Sequence, residues 1–431
     1  MISRRNFLGT SATVAAGAAL TGCDAPATSS ADDSELPPSI ARLESWANRA
    51  TPITTEERAA RVKNAKRLMR ADNVDALALC GGTSMVYFTG IRWGGGERLF
   101  TVVIPVEGDA FVVCPAFEED RAREQLALGP LGGGQVYTWE EHESPYDRVA
   151  QGLADRGIRS GYLGAEETMQ FRFSNGIAMA APEVAVVDAT PITAGCRGVK
   201  DDHEIALMTL ANEVTLTAYK AAYHAMEEGM TQGDVSRLIS MAHDRLGFAG
   251  GASVQTGEWS ALPHGSITPQ VISEGTILLI DGGCGVEGYR SDMSRTFVLG
   301  QPTDIMTERF EIEHAAQTAA FEAAAPGVLP EAVDAAARKV IEDAGYGPGY
   351  TYFTHRVGHG IGMDGHEWPY LVKGNQTPLL KGNVFSDEPG IYVAGEFGVR
   401  LEDCMYITED GAEMFTPQSP SLEDPFGNWE H

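Results

Sequence analysis

Five side chains in the second half of the sequence have the types and spacing to hold divalent cations. Asp281 ends an apolar run in Asp281-Gly282-Gly283, and Asp292 follows in Ser291-Asp292-Met293-Ser294-Arg295-Thr296-Phe297. A glycine-rich turn between adjacent strands would let these two carboxylates meet. His355, His359 and His366 fall within residues 354–366, and glycines on both sides of His359 leave its ring room to face an open site. Glu388, in Asp387-Glu388-Pro389-Gly390, and Glu402, in Val399-Arg400-Leu401-Glu402-Asp403, stand at the edges of further apolar runs. Burying such a carboxylate is costly unless a cation or a proton offsets its charge. Asp281, Asp292, Glu388 and Glu402 together carry the charge that two divalent cations neutralise, with His359 as a neutral fifth ligand. Oxygen-rich ligation with one imidazole suits Mn²⁺, most of all, or Co²⁺, Fe²⁺ or Zn²⁺, over a thiolate-loving ion.

Regular elements must deliver these residues. Thr54-Thr55-Glu56-Glu57 opens an amphipathic helix to about Ala71, and Ala76–Cys80 and Phe100–Pro105 read as buried strands. Strand and helix signals alternate through Asp188, the pattern of an α/β domain. The pattern breaks from Pro191 to Lys200, after which Asp201, Asp202 and Glu204 supply first-turn acids for a long helix ending near Gly229. Helical segments at 201–228 and 303–325 are each followed by a shorter one, 232–246 and 330–344, and then by strands, Thr276–Asp281 and Asn383–Glu388. This repeated order predicts an internal pseudo-twofold α+β domain.

The chain has 431 residues with 60 acidic against 32 basic, a formal charge of −28 that repels nucleic acid phosphates, so no nucleic acid partner is expected. Ser3-Arg4-Arg5-Asn6-Phe7-Leu8 is a twin-arginine pattern followed by an apolar run too short to span a bilayer, which needs roughly 20 residues. Leu20-Thr21-Gly22-Cys23 resembles the lipobox of bacterial lipoproteins, with Cys23 the residue that becomes acylated. The expected organisation is a signal peptide at 1–22, a flexible tether at 23–39, an N-terminal domain at 40–196, a catalytic domain at 197–425 and a tail at 426–431. Export to the periplasm follows, with membrane contact only through the lipid on Cys23. Cys80, Cys114, Cys196, Cys284 and Cys404 are odd in number and far apart, so buried free thiols are expected rather than disulfides or a zinc-thiolate site.

Taken jointly, Asp-Gly-Gly, Ser-Asp-x-x-Arg-Thr-Phe, Gly-His-Gly-Ile-Gly, Glu-Pro-Gly and Val-Arg-x-Glu-Asp resemble the pita-bread metallopeptidases, above all the Xaa-Pro aminopeptidases and prolidases. The resemblance covers about residues 40–420. It implies an α/β creatinase-like N-terminal domain followed by an α+β pita-bread catalytic domain of pseudo-twofold form. It also implies a dinuclear site in which Asp292 and Glu402 bridge two metals, Asp281 chelates one, and His359 with Glu388 completes the other. Glu388 would be the general base toward a bridging hydroxide, His264 would stabilise the tetrahedral intermediate, His366 would contact the substrate, and His355 would shape the proline pocket. Tyr392 and Arg400 would orient the ligands. Small proline-containing peptides are the implied substrates, and a homo-oligomer, dimer or tetramer, the implied assembly. In several prolidases an arginine follows His-Glu-x-Pro and holds the dipeptide carboxylate. Here His366-Glu367-Trp368-Pro369 is followed by Tyr370, which favours longer Xaa-Pro peptides or another amide. Arg98 and Trp93, on the loop Trp93-Gly94-Gly95-Gly96-Glu97-Arg98, are candidates for the missing cation. Two alternatives remain. One is a non-peptide hydrolase or lyase on this fold, acting on ectoine, an organophosphate or dimethylsulfoniopropionate; the other is a metal-free creatinase-like binding module.

Overall fold

The computed structural model describes residues 36–430, so the leader read at 1–22, Cys23 and most of the tether lie outside the described residues. Among the described residues no helix is long and apolar enough to cross a membrane. In the first half, strands β1 (Ala76–Cys80), β2 (Thr101–Pro105), β3 (Phe111–Pro115), β4 (Gln135–Trp139), β5 (Gly161–Ala165) and β6 (Val184–Asp188) form a sheet in the order β4-β3-β2-β1-β5-β6. β1 runs antiparallel to β2, with Leu77 opposite Ile104, and parallel to β5. Leu77 and Leu79 pack into one apolar cluster while Ala76 and Ala78 pack into another, and all four are fully buried. A strand covered on both faces reads as a continuous apolar run, as this one does. The helix Thr55–Ala71 starts at a capping box in which Thr54 Oγ1 accepts the Glu57 N–H (3.2 Å) and a Glu57 oxygen accepts the Thr54 N–H (2.6 Å).

The stretch from Pro191 to Lys200 departs from expectation, because most of it is helix, Thr190–Arg197. Pro191 sits in the first turn, where a missing N–H costs nothing. The following helix, Asp202–Tyr223, stops well short of Gly229, whose N–H turns instead to Ile272 O (2.9 Å). Packing already includes Ser39, whose hydroxyl donates to Ala221 O (2.8 Å). At the other end Phe426 is buried and the Trp429 indole donates to Thr217 Oγ1 (3.1 Å), so the segment expected to be a tail packs on the body as far as Trp429.

The second half repeats one arrangement. Helices Asp202–Tyr223 and Gln232–Leu246 pack on β7 (Gly250–Thr256) and β8 (Ile277–Val286), with the short β9 (Tyr289–Arg290) folding back on β8 and β10 (Met293–Val298) lying along its other edge. Helices Asp304–Ala323 and Pro330–Asp343 pack on a second sheet. Its strands are β11 (Gly358–Gly360), β12 (Glu367–Leu371) and β13 (Val384–Asp387), then, beyond the hairpin of β14 (Gly390–Val393) and β15 (Phe397–Arg400), β16 (Asp403–Ile407) and β17 (Ala412–Met414). The two sheets meet at an antiparallel bridge, Ser294 opposite Glu402. Buried charges tie this half to the first. Arg61 donates to Tyr289 Oη (2.8 Å) and pairs with Glu204 (3.3 Å), and Arg197 and Lys200 both pair with Glu367. The five cysteines from Cys80 to Cys404 are free and buried.

Candidate metal centre

Asp281-Gly282-Gly283 is not a turn but lies inside β8. The reversal comes later, at Glu287 and Gly288, whose φ values of 50° and 91° suit a two-residue hairpin. The paired glycines serve close approach instead. A Cβ at Gly282 would stand 2.3 Å from Gly251 O, and one at Gly283 would stand 2.1 Å from Ser291 O. With the backbones this near, Asp281 lies directly across from Ser294 on β10, and Asp292 just precedes β10. His359 is the central residue of β11, Glu388 follows β13, and Glu402 joins β15 to β16.

These elements bring the five side chains to the floor of one cavity of about 440 Å³. Asp292, His359 and Glu402 each offer a ligand atom, all within 4.8 Å of one another. His359 Nε2 is 3.2 Å from Glu388 Oε1 and 3.8 Å from Asp292 Oδ2. Its Nδ1 faces Gly360 O at 3.1 Å, so Nδ1 carries the proton and Nε2 turns its lone pair toward the carboxylates. The Ser294 hydroxyl lies 3.0 Å from Asp281 Oδ1 and 2.7 Å from Glu402 Oε2, yet one O–H proton serves only one of them.

Negative charge exceeds positive here. Arg400 is the cation built into the cluster, its Nη2 2.8 Å from Asp281 Oδ2. Burial, reinforced by Asp281 and Glu388, pushes the Asp292 carboxyl well above the usual range; burial, with Asp292 and Glu388, does the same to Glu402. Burial raises Glu388 to about 7 against the opposing pull of Arg400. Burial lowers His359 to about 3, helped by His366, which leaves the imidazole neutral and able to ligate. Carboxylates crowded into a buried site with one built-in cation, set around a neutral imidazole, form a donor set that divalent cations fit, since such ions offset the buried negative charge.

A surrounding ring of hydrogen bonds holds the ligand candidates in place. Arg400 also donates through Nε to Ser294 Oγ (2.9 Å) and through Nη1 to Pro263 O (2.9 Å) and Tyr392 Oη (3.1 Å). Tyr392 Oη meets His355 Nε2 at 2.8 Å, and burial lowers His355 to about 4, so it too is neutral. His366 stacks on His359 with ring centroids 3.7 Å apart and 14° between planes. His264 is exposed and lines the cavity. Arg98 and Trp93 do not line it. Arg98 pairs with Glu97 and Glu141, and Trp93 stacks on Phe100. Sequence reasoning missed Ser294, Ser386 and Arg356. Ser386 accepts the His359 N–H (3.0 Å) and donates to Glu388 Oε1 (3.1 Å). Both serines stand two residues from a ligand candidate, a spacing that strand periodicity could have flagged.

The chain matches the metallopeptidase family M24 over residues 206–409 and the creatinase/prolidase N-terminal domain over residues 61–199. It is 32% identical over 371 residues to a Xaa-Pro dipeptidase of Lactobacillus delbrueckii subsp. lactis, covering 82% of this chain and 96% of the relative. Dipeptidase PepE from Mycobacterium ulcerans superposes with a TM-score of 0.81 at 32% identity, covering 86% of this chain and 99% of that one. A prolidase from Thermococcus sibiricus superposes with a TM-score of 0.76 at 28% identity, covering 85% and 98%.

Proposed function

The chain belongs to metallopeptidase family M24, with a pita-bread catalytic domain behind a creatinase-type N-terminal domain, and on that premise we propose how it hydrolyses Xaa-Pro peptide bonds. The observation that carries this reading is the convergence of Asp281, Asp292, His359, Glu388 and Glu402 on one cavity floor. These five would hold two divalent ions, Mn²⁺ by preference for oxygen-rich ligation. Bound there, such ions supply Lewis acidity toward the scissile carbonyl and acidify water near neutral pH. Glu388, seated by Ser386, would take the proton of the attacking water and pass it to the departing proline nitrogen. His264 and His366 on the cavity wall face the substrate, and His355, Tyr392 and Arg400 hold the ligands in orientation.

Metal-loaded protein should cleave Xaa-Pro peptides at least about tenfold faster than matched Xaa-Ala peptides, and Glu388→Ala should lose roughly 10²- to 10⁴-fold in kcat. Faster turnover of a non-peptide amide or ester than of any Xaa-Pro peptide would contradict the assignment. The leader at 1–22 supports export by the twin-arginine route and a periplasmic protein anchored by lipid at Cys23. Mass spectrometry of the membrane fraction should then find acylated Cys23 as the first residue. Assembly as a homodimer or tetramer is part of the same reading, on the strength of the family.

A further inference from the structure

Residues 344–357, all of them described, form neither helix nor strand, yet they deliver Tyr350, His355 and Arg356 to the cavity wall. Arg356 reaches β12, its Nη2 donating to His366 Nδ1 (3.2 Å) and its Cζ lying 4.2 Å from the centroid of the Tyr370 ring. A segment without ladder bonds needs other partners for its carbonyls. One buried ion pair on a neighbouring helix supplies them. On Pro330–Asp343, Asp334 and Arg338 stand one turn apart and pair through Nε and Nη2, both at 3.1 Å. Arg338 also donates through Nη1 to Gly349 O (3.1 Å) and Phe353 O (2.9 Å), and through Nη2 to His355 O (2.8 Å). All five N–H donors of the guanidinium are thereby engaged. Its Cζ lies 4.3 Å from the Tyr350 ring centroid and 4.1 Å from that of Phe353, so aromatic faces hold the fork flat.

Both members of the pair lead to the metal centre, although neither lines the cavity. Asp334 Oδ1 accepts the Val357 N–H (2.9 Å), and Val357 O accepts the Glu388 N–H (2.8 Å), so one residue joins Asp334 to a ligand candidate. On the other branch His355 Nδ1 faces Arg356 O (2.8 Å) and carries the proton, which leaves Nε2 to accept from the Tyr392 hydroxyl (2.8 Å). That donation turns the lone pairs of Tyr392 Oη toward Arg400, whose Nη2 holds Asp281. We propose that Arg338, paired with Asp334, is a positioning residue for the hydrolysis, acting through His355 on Tyr392 and Arg400 while Asp334 seats Glu388 through Val357. This rests on the Xaa-Pro hydrolase reading of the same site.

The test measures kcat and KM on a Xaa-Pro dipeptide at saturating Mn²⁺ for wild type, Arg338→Lys, Arg338→Gln, Tyr392→Phe and the combined Arg338→Lys, Tyr392→Phe variant, with folding followed by circular dichroism. Arg338→Lys keeps the charge opposite Asp334, and with it the Val357 branch, but not the planar five-donor fork. It should fold and lose about 10- to 100-fold in kcat with KM within about threefold of wild type, since a displacement near 1 Å costs on the order of 100-fold. Arg338→Gln should lose more. Because Arg338 acts through His355 on Tyr392, the combined variant should lose no more than about threefold beyond the larger single loss. A combined loss equal to the product of the two single losses would make Arg338 merely structural and overturn the proposal, as would wild-type kcat in Arg338→Lys. Failure of both Arg338 variants to fold would make the pair a requirement of folding alone and overturn it too. Wild type inert on every Xaa-Pro peptide would instead remove the reading on which it rests.

Discussion

At Ser294 a single hydroxyl touches Asp281, Glu402 and the Nε of Arg400, so this small side chain fixes the separation of two carboxylates that would otherwise repel. Groups that orient metal ligands are worth roughly 10- to 100-fold in metal affinity. Ser294→Ala should show that loss in calorimetric titration of metal-stripped protein with Mn²⁺, with an unchanged circular dichroism spectrum; unaltered affinity would refute the orienting role. The five ligand candidates could be picked out of the sequence because Asp, Glu and His are rare at the edges of apolar runs, and glycines mark three of their motifs, those of Asp281, His359 and Glu388. Ser294 could not, because serine in a strand carries no such signal. Arg356 lay inside the motif already noted around His355 and His359, yet its relation to His366 and Tyr370 depends on how β11 and β12 pair, including a register shift after His359, which spacing alone does not give.

Among the elements, the helix Asp304–Ala323 carries an anomaly. Glu313 is fully buried on it with neither carboxylate oxygen hydrogen-bonded among the described residues, and both Asp387 oxygens are likewise bare. Burial pushes Glu313 well above its ordinary value of 4.5, opposed by Arg400. Below that value both folded and unfolded chains hold the proton, and Glu313 costs nothing by ionisation. As pH rises past it, the unfolded chain releases the proton while the fold retains it, so stability falls with rising pH. Glu313→Gln should therefore gain about 1–3 kcal/mol in urea denaturation at pH 8 and little near pH 4. Equal effects at both pH values would contradict this account. Both helix pairs begin and end within a few residues of expectation except where a local bond intervened, as at Gly229. The glycine pair after Asp281 misled for a physical reason: two glycines mark a turn or a crowded strand equally well, and only the neighbouring backbones of Gly251 and Ser291 select the second.

At the scale of the molecule, the site sits where two like-built sheets touch, at the Ser294–Glu402 bridge, and each sheet contributes ligand candidates. Neither sheet alone could surround an ion, which explains why the ligand candidates are spread over residues 281–402 while the N-terminal domain supplies none of them. Arg197 and Lys200, at the junction of the halves, pair with Glu367, next to His366, so buried charge at that junction braces the cavity wall. The most direct test of the whole is metal content measured against activity in one preparation. Chelator-stripped protein titrated with Mn²⁺ should recover Xaa-Pro hydrolysis in proportion to occupancy, saturating at about two ions per chain. Full activity in protein stripped of divalent ions, or in an Asp292→Ala, Glu402→Ala variant that binds none, would contradict it.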